Sequence, residues 1–227
     1  MLAGKMIEFP SNAHTTPGYL AMPEGTGPFG AVIAIQEWWG LVGHIKDVAD
    51  RLAGQGFVTL APDLYHGQSA SEPDEARKLA MALDRGKAIK EIDAAAIYLK
   101  SLDVVQPKKV GIVGWCMGGG LALSSAAHSS NIDAVVCFYG RPLEAADTAK
   151  VKAPVLGLYG DLDAGNPLSI VQNFDKELEK VGVPHYVHVY AGAKHAFFND
   201  GRAEAYHPEA AADAWGRTLA WFRQHLV

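Results

Sequence analysis

Cysteine and long apolar runs are both scarce in this sequence. Its 227 residues include two cysteines, Cys116 and Cys137, which are too few for a disulfide framework and fall on different predicted strands. No apolar run approaches the roughly 20 residues of a membrane-spanning helix. The N-terminus also lacks the basic region and apolar core of a signal peptide. We therefore predict a cytoplasmic protein without a membrane partner.

Concentrated positive charge is absent as well. The 20 lysines and arginines are scattered among 25 acidic residues, giving a net charge of −5, which argues against nucleic-acid binding. Internal repeats, low-complexity tracts and charge blocks are also missing. With 49% hydrophobic residues, the chain fits one soluble α/β domain over residues 1–227. It carries no motif that calls for a cofactor or a metal.

The most informative stretch that is present runs from Val110 to Leu123, VGIVGWCMGGGLAL. Its first residues are apolar and β-branched, as in a strand covered on both faces of a parallel sheet. Cys116 lies between Gly114 and Gly118 in a G-x-C-x-G pattern. This pattern is typical of a nucleophile elbow, in which a tight strand-to-helix turn exposes the nucleophile at a helix N-terminus. The alternative is an inert buried cysteine, the interpretation we give to Cys137.

Strands and helices alternate along most of the chain. Two short antiparallel strands are predicted first, separated by a turn at residues 11–17. The buried strands that follow are 31–36, 58–61, 110–113, 134–139, 155–159 and 186–190, with amphipathic helices between them and a polar excursion over 68–86. The order predicts an α/β fold with a mainly parallel sheet and helices on both faces, as in the α/β-hydrolases.

An elbow nucleophile requires a histidine to move protons and an acid to orient it, in the chain order nucleophile, acid, histidine. Asp161 and Asp163 follow the strand that ends at residue 159, and His195 follows the last strand. We favour Asp163 over Asp161, because its position further along the loop lets it reach a neighbouring loop. Turn chemistry alone could also explain these aspartates, and an exposed loop position could explain the histidine.

Six motifs taken together resemble the dienelactone hydrolase family of α/β-hydrolases. They are QEWWG from Gln36, PDLY from Pro62, GWCMGG around Cys116, FYG around Tyr139, GDLD ending at Asp163 with Pro167, and AKHAF around His195. The resemblance spans nearly the whole chain. It implies that Cys116, Asp163 and His195 form the catalytic triad.

The resemblance also implies roles for residues that spacing alone does not identify. In that family the glutamate at the position of Glu37 contacts the resting thiol and helps to deprotonate it when substrate binds. The amides of Trp38 and Met117 would form the oxyanion hole. Trp39, Tyr65 and Tyr139 are candidate substrate-binding residues in an aromatic-walled pocket.

The sequence departs from the family at two arginines that hold the substrate carboxylate, where it has Gly67 and Asn199. The loss removes charge-assisted contacts worth about 1.5–3 kcal/mol each, so dienelactone itself is a doubtful substrate. Arg141 and Lys194 are possible replacements, although a surface role is more typical of both.

We predict a hydrolase that cleaves a small lactone, ester or thioester through a thioester on Cys116, acting as a monomer or small homo-oligomer. The alternatives are a broad-specificity carboxylesterase or thioesterase, or a noncatalytic redox-sensing protein on the same scaffold. A metal site at His185, His188 and His207 is weakly supported, because residues 185 and 188 point to opposite faces of a strand.

Overall fold

The central sheet determines where every candidate site residue lies. The computed structural model describes residues 3–11 and 14–227, and in these residues eight strands form one sheet in the order β1-β2-β4-β3-β5-β6-β7-β8. The strands are β1 (Lys5–Ser11), β2 (His14–Ala21), β3 (Phe29–Ile35), β4 (Phe57–Pro62), β5 (Val105–Trp115), β6 (Ala134–Phe138), β7 (Val155–Gly160) and β8 (His185–Tyr190). From β4 to β8 all neighbouring strands are parallel, while β2 pairs antiparallel with both β1 and β4.

Helices cover both faces of the sheet. They are α1 (Gly43–Ala53), α2 (Pro73–Ala82), α3 (Arg85–Ser101), α4 (Met117–His128), α5 (Ala145–Thr148), α6 (Leu168–Val181) and α7 (Pro208–Leu226). Buried side chains of α3, α4 and α6 share one core cluster, and those of α1 and α7 share the cluster on the opposite face. None of the helices in the described ranges is long and apolar enough to cross a membrane. The predicted α/β-hydrolase architecture is therefore confirmed.

The predicted turn at residues 11–17 is wrong over most of its length. Strand β2 begins at His14, and Thr15, Thr16 and Pro17 all pair with β1. Two β-branched threonines favour an extended backbone. A proline is tolerated here because β4 pairs with β2 only from Gly18 onwards, so no sheet hydrogen bond needs the missing N–H of Pro17. The rest of the predicted turn, residues 12 and 13, lies outside the described residues.

Two further elements differ from the prediction. Strand β5 starts at the buried Val105, five residues before the apolar run, and residues 106–109 between them are exposed and polar or proline, so they show no pattern of a buried strand. The four-residue helix α5 was not predicted, since its length gives no helical periodicity. Cys137 is fully buried in β6, with its Sγ 3.5 Å from the hydroxyl oxygen of Tyr159, consistent with the core position expected for it.

Candidate active site

The candidate site residues all follow parallel strands at the same edge of the sheet. Glu37, Trp38 and Trp39 follow β3, Tyr65 follows β4, Cys116 and Met117 follow β5, Tyr139 follows β6, Asp163 follows β7 and His195 follows β8. These strands are neighbours in the order β4-β3-β5-β6-β7-β8. The carboxyl edge of a parallel sheet is where α/β folds place ligand sites. The topology thus gathers on one edge residues that are up to 158 positions apart in sequence, from Glu37 to His195.

The turn at Cys116 has the geometry of a nucleophile elbow. Cys116 has φ 54° and ψ −117°, a conformation that a non-glycine residue adopts only when its surroundings impose it. Its N–H donates to the carbonyl of Phe138 at 3.0 Å. A Cβ on Gly118 would lie 2.4 Å from the carbonyl oxygen of Gln36, and one on Gly114 would lie 2.1 Å from the carbonyl oxygen of Gly118. Glycine is therefore required on both sides of the cysteine, as the G-x-C-x-G pattern predicts.

Two backbone amides lie free beside this turn. Met117 is the first residue of α4, where a helix offers its N–H groups no internal acceptor. Within residues 3–11 and 14–227, the N–H of Trp38 also has no acceptor. The hydroxyl of Tyr65 links the two residues, because it donates to the carbonyl of Trp38 at 3.2 Å and lies 3.5 Å from the sulfur of Met117.

His195 is held by Asp163. Its Nδ1 lies 2.8 Å from Oδ2 of Asp163, whose side chain is fully buried, while the histidine side chain is 40% exposed. The carboxylate also accepts from the N–H of Gly165 at 2.8 Å and from the side-chain amide of Asn166 at 2.9 Å. Asp161, the competing candidate, is exposed and accepts from the N–H of Gly192 instead. Of the two aspartates, Asp163 is the one that contacts the histidine.

The ionisation of this pair follows from its contacts. Burial disfavours the charged ring of His195, but interactions with Asp163 and Cys116 outweigh it and raise the pKa of His195 to about 10. Burial also works against the charged carboxylate of Asp163, yet the hydrogen bonds from His195 and Asn166 bring its pKa below the ordinary value. The protonated ring of His195 therefore lies next to the negative carboxylate of Asp163.

The family resemblance implies a contact between Glu37 and the resting thiol of Cys116. In the structure Glu37 is buried and accepts hydrogen bonds from other groups. Asn199 donates its side-chain amide to Oε2 at 2.7 Å, and the hydroxyl of Tyr139 donates to Oε1 at 3.4 Å. Among the described residues, Glu37 makes no hydrogen bond to the Cys116 thiol. Burial raises the pKa of Glu37 above its usual value, against the opposing charges of His44, His195 and Arg202 and the hydrogen bond from Asn199.

The aromatic candidates differ in exposure, since Trp38 and Trp39 are partly exposed whereas Tyr65 is buried and Tyr139 fully so. Trp38 and Trp39 are half-buried and pack edge to face with ring centroids 5.1 Å apart. Tyr65 borders a cavity of about 260 Å³ between the loop after β4 and helices α2 and α3. Tyr139 packs edge to face on His195 at 5.0 Å, and burial, with the charges of Glu37 and Cys116, keeps the pKa of its phenol well above the ordinary value. Its hydroxyl therefore stays a donor to Glu37.

The two positions that lack arginine have other uses here. Gly67 has φ +90° and donates its N–H to Asp63, whereas Asn199 is buried against Glu37. Arg141 and Lys194, the suggested replacements, are both exposed. Arg202 is the arginine whose charge acts on Glu37. Its guanidinium lies 5.4 Å from the Trp39 ring centroid and is hydrogen-bonded to Glu204.

Sequence reasoning missed three residues that contact the site. Asn166 donates to Asp163, and Arg202 and His44 act electrostatically on Glu37, but Arg202 and His44 lie in segments without a motif. For Asn166 a signal existed, since it lies three residues after Asp163 in a loop rich in glycine and aspartate.

Comparison with known proteins gives a consistent family. The model of the dienelactone hydrolase family matches residues 16–226. "Protein usf" of Aquifex pyrophilus is 39% identical over 232 residues, which cover 99% of this chain and 100% of that protein. A "Putative carboxymethylenebutenolidase" of Aquifex aeolicus is 38% identical, covering 98% of this chain and 99% of that protein.

A solved structure agrees with these relatives. The crystal structure of a "Putative Dienelactone Hydrolase" from Klebsiella pneumoniae superposes with a TM-score of 0.90 at 32% identity, covering 98% of each chain. The family predicted from six short motifs is thus confirmed along the whole chain. The chain belongs to the dienelactone hydrolase family and is a carboxylic ester hydrolase of that type.

Proposed function

We propose that this chain hydrolyses small carboxylic esters and lactones by nucleophilic catalysis, with Cys116 as nucleophile, His195 as general base and acid, and Asp163 as the residue that orients the histidine. The observation that carries the proposal is the 2.8 Å contact between His195 and Asp163 at the strand ends beside the strained turn of Cys116. A nucleophile, a base and an orienting acid in this order are the minimal set for acyl transfer.

In the first half-reaction, the sulfur of Cys116 attacks the carbonyl carbon of the ester. The proton exchanged with the sulfur lies on Nε2 of His195 when the sulfur attacks, because Nδ1 is engaged by Asp163 and the raised pKa of the ring favours its protonated form. Collapse of the tetrahedral intermediate breaks the bond between carbon and the leaving oxygen. His195 returns its proton to that oxygen, and the acyl group remains on Cys116 as a thioester.

In the second half-reaction, water replaces the alcohol. His195 takes a proton from the water as the oxygen attacks the thioester carbon. The carbon–sulfur bond then breaks, the acid leaves, and the proton returns to the sulfur of Cys116. A lactone gives one hydroxy acid in place of an alcohol and an acid.

The oxyanion that forms in both halves requires donors fixed in advance. We assign this role to the amides of Trp38 and Met117, which lie free on either side of the turn. Removal of one such donor typically costs about 2.7–4 kcal/mol of transition-state stabilisation. The hydroxyl of Tyr65 contacts both residues, at the carbonyl oxygen of Trp38 and at the sulfur of Met117.

The role proposed for Glu37 is that of an auxiliary base, held away from the thiol in the resting enzyme by Asn199 and Tyr139. A carboxylate next to a thiol disfavours the thiolate, so this restraint keeps the two negative groups apart. Trp39, which is partly exposed, is proposed to contact a small, largely apolar acyl or alcohol group, and the buried rings of Tyr65 and Tyr139 are proposed to support the site from inside the protein.

The test is hydrolysis of p-nitrophenyl butyrate by wild type, Cys116→Ala and the matched variant Cys137→Ala. We expect Cys116→Ala to lose turnover to background, while Cys137→Ala, altered in the core, retains it. In His195→Gln, slow deacylation should allow mass spectrometry to detect an added butyryl group on the peptide that contains Cys116. Full turnover by Cys116→Ala would refute the proposal. Reversible oxidation of Cys116 with no ester turnover in wild type would instead support the redox-sensing alternative.

A further inference from the structure

The side chain of Asn166 joins two of the loops that carry the site. Asn166 lies between β7 and α6, directly before Pro167, and it is buried, with 3% of its surface exposed. Its Nδ2 donates to the carbonyl oxygen of Tyr139 at 3.0 Å and to Oδ2 of Asp163 at 2.9 Å. One buried amide group therefore connects the loop after β6 with the loop after β7.

The chemistry of the two partners fixes which way this amide points. A backbone carbonyl and a carboxylate can only accept hydrogen bonds. If the amide were turned over, Oδ1 of Asn166 would face two oxygens, so its NH2 group is the end that points towards Tyr139 and Asp163. Oδ1 itself is buried and accepts no hydrogen bond from residues 3–11 and 14–227. Within these residues, the side chain thus makes its polar contacts through the NH2 group.

The backbone of Asn166 holds the amide in place. Its N–H donates to the carbonyl of Asp163 at 3.2 Å. Pro167 follows, and a proline favours an extended conformation for the residue before it. Pro167 is also the N-cap of α6, whose buried side chains are Val171, Phe174 and Leu178. Asn166 is therefore anchored to a helix that packs on the core.

Both partners of Asn166 also contact the ring of His195. Oδ2 of Asp163, the oxygen that accepts from Asn166, lies 2.8 Å from Nδ1 of the histidine. The ring of Tyr139 packs edge to face on His195, with centroids 5.0 Å apart. The imidazole is thus contacted by two residues, and each of them is hydrogen-bonded to Asn166.

Tyr139 requires such support because its backbone is strained. Its φ is +40°, in the left-handed region that a bulky residue adopts only where the surrounding structure imposes it. The N–H of Tyr139 donates to the carbonyl of Leu158 at 2.8 Å, and its own carbonyl accepts from Asn166. Loss of the bond from Asn166 would leave the carbonyl side of this residue less restrained, and the ring that packs on His195 could then shift.

We propose that Asn166 is a positioning residue that holds the imidazole of His195 in the orientation that turnover requires, through both Asp163 and Tyr139. The inference rests on the proposed function for the part that His195 plays in turnover. The contact between the ring and Asp163 can, however, be measured without turnover.

The titration of His195 reports this contact. The titratable groups that act on the ring or contact it are Asp163, Cys116, Tyr139 and Glu37, from the ends of β7, β5, β6 and β3. The hydrogen bond to Asp163 raises the pKa of His195, so a carboxylate that turns away lowers this pKa. A carboxylate that lost a donor but stayed in place would become a stronger acceptor and would raise it. The direction of the shift therefore distinguishes a positioning role from a purely electrostatic one.

The direct test is an NMR titration of protein labelled with [ε1-¹³C]histidine, with the His195 resonance assigned by its absence in His195→Gln. In Asn166→Ala we expect the midpoint to fall by about one pH unit, the size of shift that follows when a charged partner moves away. Asn166→Ser, whose hydroxyl donates one hydrogen in place of two, should show a smaller fall. It provides the same test if Asn166→Ala does not fold.

Hydrolysis of p-nitrophenyl butyrate gives a second measurement. In Asn166→Ala, kcat should fall about 10- to 100-fold with KM nearly unchanged, the range found for groups that orient metal-binding histidines. The matched control is Asn131→Ala, because Asn131 donates its side-chain amide to Asp93 at 2.9 Å, beyond the C-terminal end of α4. It should change neither the midpoint nor kcat.

A His195 midpoint that is unchanged or raised in the Asn166 variants would overturn the inference, and so would a loss of activity confined to KM. Since the titration needs no turnover, its result stands even if Cys116→Ala remains active and the proposed function fails.

Discussion

Nδ1 of His195 lies 2.8 Å from Oδ2 of Asp163, and the aspartate side chain is completely buried. A buried carboxylate can accept only from what surrounds it, and here the donors come from His195, Asn166 and Gly165. The contact directs the hydrogen on Nδ1 to Asp163, which in the proposed mechanism leaves Nε2 to exchange protons with the sulfur of Cys116. The loop after β7 therefore fixes the orientation of His195, the proposed base.

Replacement of Asp163 by asparagine should lower kcat/KM for a neutral ester by about 10²- to 10⁴-fold with little change in KM, because the amide no longer fixes the productive tautomer or stabilises the imidazolium. The measurement is steady-state hydrolysis of p-nitrophenyl butyrate.

Asp161→Asn provides the control for that loss. Asp161 is exposed and accepts from the N–H of Gly192, so its variant should stay within about threefold of wild type, as for surface changes that cost under 0.5 kcal/mol. Equal losses in the two variants would contradict the assignment of Asp163.

The raised pKa of His195 predicts a pH-dependent stability. Its pKa is about 10 in the folded protein, against an ordinary value of about 6.5 in the unfolded chain. A raised pKa means that the folded state binds the proton more tightly. The stabilisation of the folded state by the interactions of protonated His195 is therefore complete below about pH 6.5, declines as the pH rises, and is lost on passing about pH 10.

Urea unfolding of wild type and His195→Gln at pH 6, 8 and 10 measures this contribution. The difference in unfolding free energy between the two proteins should shrink steadily across that range. A difference that stays constant from pH 6 to pH 10 would be inconsistent with the interactions assigned to His195.

The elbow predicts opposite effects for two alanine substitutions in one helix. In Gly118→Ala the new Cβ would meet the carbonyl oxygens of Gln36 at 2.4 Å and Ile35 at 2.5 Å, and neither backbone atom can move freely. We expect a loss of about 1–3 kcal/mol in the free energy of unfolding, as for other overpacked cores.

In Gly120→Ala the new Cβ would have its nearest contact at 3.5 Å, an ordinary van der Waals distance. This variant should gain up to about 1 kcal/mol, because alanine loses less backbone entropy than glycine in a helix. Urea denaturation of both variants gives the comparison, and a Gly118→Ala variant as stable as Gly120→Ala would show that the turn is less closely packed than described.

Much of this site could be predicted from the sequence because each residue follows a recognisable strand. Apolar runs mark the strands, the parallel topology brings their carboxyl ends together, and a loop residue just after each run is then a candidate. The hydrogen bond between Asn199 and Glu37 could not be predicted in this way. Its two partners are 162 positions apart, and the sequence around Asn199 indicated only a missing arginine.

The 3.4 Å contact between Nδ1 of His44 and Oδ1 of Asp200 could not be predicted for the same reason. His44 lies in a helix whose apolar periodicity says nothing about its polar residues, and Asp200 looks like any exposed loop aspartate. The beginning of β2 was missed for a different reason, since proline and threonine are common both in turns and in strands that are paired on one side.

The charge around the site predicts which esters are good substrates. Gly67 offers no side chain, Asn199 is occupied by Glu37, and the guanidinium of Arg202 is already hydrogen-bonded to Glu204 and stacked near Trp39. A carboxylated lactone therefore meets no uncommitted cation at these positions. Each missing charge-assisted hydrogen bond is worth about 1.5–3 kcal/mol, which corresponds to roughly 10- to 150-fold in kcat/KM.

We expect a neutral ester to be hydrolysed at least about tenfold more efficiently than a dienelactone of similar size, whose loss of ultraviolet absorbance reports its turnover. Arg202→Met should leave this ratio nearly unchanged, because Glu204 already balances the charge of Arg202. Arg141→Ala, at an exposed position after β6, serves as the comparison. A preference for the lactone that disappears in Arg202→Met but persists in Arg141→Ala would contradict the prediction, since it would mean that the substrate carboxylate displaces Glu204 from Arg202.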